Sequence, residues 1–188
     1  MSTNIVTTVQ ENLQYQPLKK IDPNTEQVID QQNSGNSHSF GQAAIPALLA
    51  GLSQYVQSDD GASDFLHNVH SGNWIQQIFG GRQDKVVQAI SNFSPHSNED
   101  YYMEMEAIAG EIVKVTKEQL SANATIKDIK DFFQNEKANF LSYLLPELKV
   151  GVMLDNDSID DKTHKMEGPV SGLIQSIGAA FDNDEVKK

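Results

Sequence analysis

The amino-acid sequence predicts a single all-α domain, and three observations favour this fold class. Apolar residues recur at spacings of three and four along most of the chain, which is the period of an amphipathic helix. Capping residues, glycines and prolines separate these stretches, and no stretch alternates apolar and polar residues for long enough to form a strand. We therefore expect a multihelical domain over residues 37–181, with a flexible N-terminal arm (residues 1–36) and a short charged C-terminal tail (residues 182–188).

The N-terminal arm is predicted to be disordered or extended. Residues 1–36 are rich in Asn, Gln and Thr, and Pro17 and Pro23 interrupt them. Their few apolar residues have no helical period, which is typical of a flexible segment. The alternative is that residues 13–18 form a docking peptide that binds to some surface.

The first helical pattern covers residues 37–57. Its apolar face consists of Phe40, Ala44, Leu48, Leu49, Leu52, Tyr55 and Val56. Much of its remaining surface is small, which suits tight packing inside a bundle. Pro46 should kink this helix or mark its first turn. Insertion into a membrane is the alternative, but the longest apolar run, residues 43–52, is far shorter than the ~20 residues that span a bilayer.

Three shorter helices are expected after a break at residues 59–61. They cover residues 64–70, 73–79 and 83–93, and their apolar residues again follow the helical period. The glycines at residues 80–81 should end the second of these helices.

The longest helix is expected over residues 97–120, where Ser97 can cap the first turn. Its apolar arc consists of Tyr102, Met105, Ile108, Ala109, Ile112, Val113, Thr116 and Leu120. The opposite, solvent-facing side consists of Glu104, Glu111, Lys114 and Glu118. Gly110 costs about 1 kcal/mol relative to alanine inside a helix, so we expect the close approach of another helix as compensation. A hinge at Gly110 is the alternative.

A further helix should begin after Thr125, because Asp128 completes a capping box with it. This helix is expected to be interrupted at residues 134–135 and to stop before Pro146.

The last predicted helix covers residues 170–181 and follows Pro169. Its large apolar residues form one stripe, which consists of Val170, Leu173, Ile174, Ile177 and Phe181. Such a stripe is costly to leave in water, so the helix should dock. We expect it to cover the arc around Ile108 and Ile112 or the helices that pack there, and docking on a partner is the alternative.

Part of the chain resembles a known family. Residues 74–90 contain a Phe-Gly pair before a predicted helix, and the long helix follows them. Residues 131–141 are a further predicted helical segment, which closes on Leu-Pro at residues 145–146. Together, over about residues 72–150, they resemble the bacterial YidB-like family, the domain of unknown function nine-three-seven. The resemblance implies a multihelical fold and no particular activity.

Composition limits the classes of partner. The formal net charge is −12 at pH 7, and Arg82 is the only arginine. Nucleic acids and anionic membranes require clustered Lys and Arg, so we expect neither as a partner. The chain has no cysteine, which excludes thiolate metal sites and cysteine nucleophiles. The N-terminus lacks the basic and apolar regions of a secretory signal, so we expect a soluble cytoplasmic protein.

One group of residues could carry chemistry. Asp64, His67 and His70 are spaced so that neighbouring members share a helix face, and two histidines with a carboxylate can hold a divalent metal. The alternative is that they are surface polar residues of a short helix. An acidic run, Asp155, Asp157, Asp160 and Asp161, fails the calcium-loop pattern because Ile159 stands where an oxygen ligand is required.

No nucleophile elbow, phosphate-binding loop or dinucleotide fingerprint occurs in the sequence. We therefore expect a non-enzymatic helical interaction module that needs no cofactor and binds a protein partner or a second copy of itself. The alternative is a metal-dependent enzyme that uses Asp64, His67 and His70.

Overall fold

A computed structural model of the chain describes residues 4–21, 39–67, 72–93 and 101–154. These residues form an all-α fold, which confirms the predicted fold class. The α-helices are α1 (Ile5–Asn12), α2 (Ser39–Tyr55), α3 (Asp59–His67), α4 (Trp74–Phe79), α5 (Gln83–Ser91), α6 (Tyr101–Gln119), α7 (Ile126–Leu141) and α8 (Val150–Leu154). Two 3₁₀ turns, Gly80–Arg82 and Pro146–Leu148, precede α5 and α8.

Several predicted features lie outside the described residues. They are the Ser97 cap, His70, the acidic residues 155–161, the helix over residues 170–181 and the tail over residues 182–188.

α2 is the central helix of the domain, and every residue from 43 to 53 is buried. It contacts α1, α4, α6 and α7. Gly51 lies so close to α4 that an added Cβ would collide with the Ile78 side chain. Tight packing around α2 is therefore confirmed, and Pro46 lies inside the helix instead of in its first turn. Neither α2 nor another described helix is long and apolar enough to cross a membrane.

α6 packs across this core with the face that the sequence predicts. Met105, Ile108, Ala109, Ile112, Val113, Val115 and Thr116 are all buried. Gly110 is the exception to the prediction, because no described atom lies within 4 Å of the place that its Cβ would take. No helix among the described residues makes the close approach that the sequence predicts at Gly110.

The predicted N-terminal arm is wrong for residues 4–21. Ile5, Val6 and Val9 are almost completely buried, and they hold α1 against α2, α6 and α7. The Asn4 side chain accepts hydrogen bonds from the N–H groups of the first turn of α1, at 2.9 Å from Val6. This cap and a short apolar face stabilise a helix within a polar segment, so the domain begins at α1 and not at residue 37. The rest of the arm, residues 22–36, lies outside the described part of the chain.

Residues 15–21 form a strap that docks on the same domain, and three residues of the predicted docking peptide (residues 13–18), Leu13, Tyr15 and Leu18, pack against the chain's own core. The Gln42 side chain accepts from the Lys19 N–H at 2.7 Å and donates to the carbonyl oxygens of Lys19 and Tyr143, at 3.0 and 2.9 Å. The Ile21 N–H donates to the Ser142 carbonyl oxygen at 2.8 Å. The Gln42 side-chain amide of α2 thereby connects the strap to the segment that follows α7.

Two predicted boundaries differ from the structure. α3 begins at Asp59, so residues 59–61 start a helix instead of breaking the chain, and negative charge in a first turn favours this start. α7 is continuous, which makes the predicted interruption at residues 134–135 wrong; both residues are exposed polar side chains that a helix tolerates. The capping box between Thr125 and Asp128 is confirmed.

Candidate interaction groove

An open groove of about 700 Å³ lies along one side of α6, next to the start of α4. Its lining residues are Gly72, Trp74, Met103, Glu106, Ala107, Gly110, Val113, Lys114, Lys117 and Glu118. All of them except Gly72 and Trp74 belong to α6, so the groove exposes mainly the surface of one helix.

The floor of this groove is a stripe on α6 with helical spacing. The stripe consists of Met103, Ala107, Gly110, Lys114 and Lys117. Ala107 and Gly110 have little or no side chain, which leaves the helix backbone accessible from the groove. The Met103 side chain is 61% exposed at one end. An apolar helix surface without bulky side chains can accept another helix at a short interaxial distance.

Glu106 fixes the wall of the groove at α4. Glu106 is only 8% exposed, and its carboxylate accepts from the backbone N–H groups of Trp74 and Ile75 at 2.9 and 2.8 Å. These are free donors at the start of α4, and the preceding residue, Asn73, makes no side-chain cap. Glu106 therefore replaces the local cap and holds the Trp74 ring beside α6. Burial and this carboxylate also raise the pKa of Tyr102.

The other end of the groove carries charged side chains. Lys117 donates to the Leu66 carbonyl oxygen at 2.9 Å, and its ammonium lies 6.0 Å from the centre of the Phe65 ring. Burial lowers the pKa of Lys117. The exposed Lys114 donates to Glu111 at 3.1 Å, and this contact raises the pKa of Lys114. The groove thus changes from apolar at Met103 to charged at its far end.

The groove was not predicted, because its floor lies on the side of α6 away from the predicted apolar arc and includes Lys114, which was expected to face solvent. Met103, Ala107 and Gly110 have spacings of four and three, so one helix face contains all three. Two of these residues are small, and small residues are equally compatible with a packed contact and with an open surface. The signal available in the sequence was the isolated Met103 outside the arc.

The predicted metal ligands have other partners in the structure. Tyr55 donates to the Asp64 carboxylate at 3.0 Å, and burial together with Asp64 raises the pKa of Tyr55 to about 12. His67 Nδ1 lies 2.7 Å from the Ser63 carbonyl oxygen, to which a protonated Nδ1 donates. His70 lies outside the described residues. Among the residues that are described, no three His, Cys, Asp or Glu side chains are grouped as metal ligands.

Comparison with known proteins identifies no relative. No family model matches the chain, and neither a curated protein nor a solved structure matches it. The resemblance of residues 72–150 to the YidB-like family stays a prediction.

Proposed function

We propose that this chain is a non-enzymatic interaction module that binds an amphipathic helix of a protein partner in the α6 groove. The observation that supports the proposal is the groove itself, whose floor at Ala107 and Gly110 exposes a helix backbone. Amphipathic helices commonly bind in apolar grooves through residues spaced by three and four.

The dimensions of the groove suit such a ligand. Met103 and Lys117 are fourteen positions apart on α6, so the stripe between them is about 21 Å long at 1.5 Å per residue. A bound helix of about four turns would cover this length. The apolar end at Met103 would bury apolar ligand side chains, and the charged end, where Glu118 accompanies Lys114 and Lys117, would bind polar ones.

The proposal is tested with a displayed library of amphipathic helical peptides, selected for binding to the full chain. The selected peptides are then measured against Met103→Glu. We expect their affinity to fall at least about ten-fold, because burial of an unpaired carboxylate costs more than the ~1.4 kcal/mol that corresponds to that factor.

Val152→Glu is the matched control, because Val152 is another exposed apolar side chain, 60% exposed and located on α8. Affinity for this control should equal that for the unchanged chain. Equal binding to both variants and to the unchanged chain would contradict the proposal.

A further inference from the structure

We propose that the chain's own C-terminal segment, residues 169–181, occupies the α6 groove and competes there with a partner helix. This inference rests on the proposed function, because it concerns the same groove. The segment contains the apolar stripe Val170, Leu173, Ile174, Ile177 and Phe181, which is costly to leave in water.

The surface first expected for this stripe has no room for it. Ile108 and Ile112 are 1% and 0% exposed, so described residues already cover the arc around them. The accessible surface of α6 lies on the other side of the helix, at Met103, Ala107 and Gly110. An apolar segment of this chain that docks on α6 therefore meets the groove.

The connection is long enough to reach this position. The described chain ends at Leu154 in α8, and fourteen residues, 155–168, separate it from the segment. At ~3.3–3.6 Å per residue they can extend about 46–50 Å. A domain of about 150 residues has a radius of gyration near ~15 Å, hence a diameter of roughly 40 Å, so the segment can reach any face of it.

The lengths of segment and groove agree. Residues 170–181 would form a helix about 18 Å long, and α6 spans about 16–17 Å between Met103 and Lys114.

Charge indicates one orientation. Acidic residues, Asp182, Asp184 and Glu185, follow the apolar stripe directly, and Lys187 and Lys188 come after them. Lys114 and Lys117 lie at one end of the groove together with Glu118, whereas the buried Glu106 lies nearer the Met103 end. If the segment lies parallel to α6, its acidic residues are close to the lysines and Val170 is close to Met103. In the antiparallel orientation, the acidic residues lie towards Glu106. Complementary charge of this kind selects orientation more than affinity.

Disulfide trapping tests the proposal directly, because the chain contains no cysteine of its own. We compare Met103→Cys/Val170→Cys with Met103→Cys/Phe181→Cys and with the control Val152→Cys/Val170→Cys, all in the full chain at low concentration. The control pair is closer along the chain, so tethering alone would favour it. Parallel docking predicts that the 103–170 disulfide forms fastest and within one molecule.

Three outcomes would overturn this proposal. Faster formation of the 103–181 disulfide would refute the parallel orientation. Disulfides between molecules would identify a second copy of the chain as the occupant. Disulfide formation no faster than in the control would show that the segment does not contact the groove. If the selected peptides still distinguish Met103→Glu in these cases, the proposed function stands and only the self-docking fails.

A binding measurement also distinguishes self-docking of the segment from binding of a partner helix. Ile174→Glu/Ile177→Glu in the full chain should prevent residues 169–181 from occupying the groove. If nine of ten molecules are closed, affinity for a selected peptide rises about ten-fold in this variant. An unchanged affinity would contradict competition by the segment.

Discussion

Glu106→Ala tests how the wall of the groove is held. The change removes the acceptor of two backbone N–H groups, those of Trp74 and Ile75, in a buried place. An unsatisfied buried donor costs about 1–3 kcal/mol, and the lost charge at the start of α4 adds about 0.3–1 kcal/mol. Water that enters the space left by the side chain offsets part of this cost. We therefore expect the free energy of unfolding to fall by about 2–5 kcal/mol.

The assay is urea unfolding followed by tryptophan fluorescence, since Trp74 is the only tryptophan and lies at the affected helix. Glu118→Ala is the matched control, because Glu118 is an exposed glutamate on α6 and its loss should change stability by less than about 0.5 kcal/mol. A Glu106→Ala variant as stable as this control would refute the capping role of Glu106.

Four further changes have defined expectations. Gly51→Ala should lower the melting temperature, because its Cβ collides with Ile78 and overpacking costs about 1–3 kcal/mol. Gly110→Ala should raise it, since no described atom is close and alanine is about 1 kcal/mol better in a helix; a lower value would show a packed Gly110. Thr116→Val should stabilise by about 1 kcal/mol, because the hydroxyl of this fully buried residue has no partner among the described residues, and a clear loss in urea unfolding would reveal one. The raised pKa of Tyr55, about 12, means that the fold keeps a proton that the unfolded chain loses near pH 10.0. The free energy of unfolding should therefore fall as pH rises between these values. Tyr55→Phe should reduce that fall in unfolding curves measured from pH 9 to 12. An equal dependence on pH in the variant and the unchanged chain would contradict this expectation.

Helical periodicity predicted the elements whose apolar faces are long. α6 is the clearest case, because six of the eight residues of the predicted arc are buried, while Tyr102 and Leu120 are partly buried and the buried Glu106 and Val115 were not predicted. α1 was missed because only three large apolar residues mark it within a polar segment, and its stability depends on contacts with distant helices. The strap was also beyond prediction in its detail, since Gln42 recognises Lys19 and Tyr143 across the fold.

The candidate groove was harder to predict than the helices. Glu104 and Glu106 point to different sides of α6: Glu104 accepts from Tyr15, and Glu106 caps α4. The partners themselves are not visible in the sequence, because each contact joins residues more than thirty positions apart. The environment of Gly110 could not be predicted for a related reason. A glycine shows only that no side chain fills the space, and the neighbouring elements decide whether another helix does.

Methionine methyl resonances test the central claim most directly. The chain has five methionines; Met103 lies in the groove, and Met153 lies on α8 away from it. With labelled methyl groups assigned through Met103→Leu and Met153→Leu, a selected helical peptide is added to the full chain until binding saturates. We expect the Met103 resonance to shift and the Met153 resonance to stay in place. A saturated complex in which Met103 does not shift would contradict the assignment of the α6 groove as the binding site.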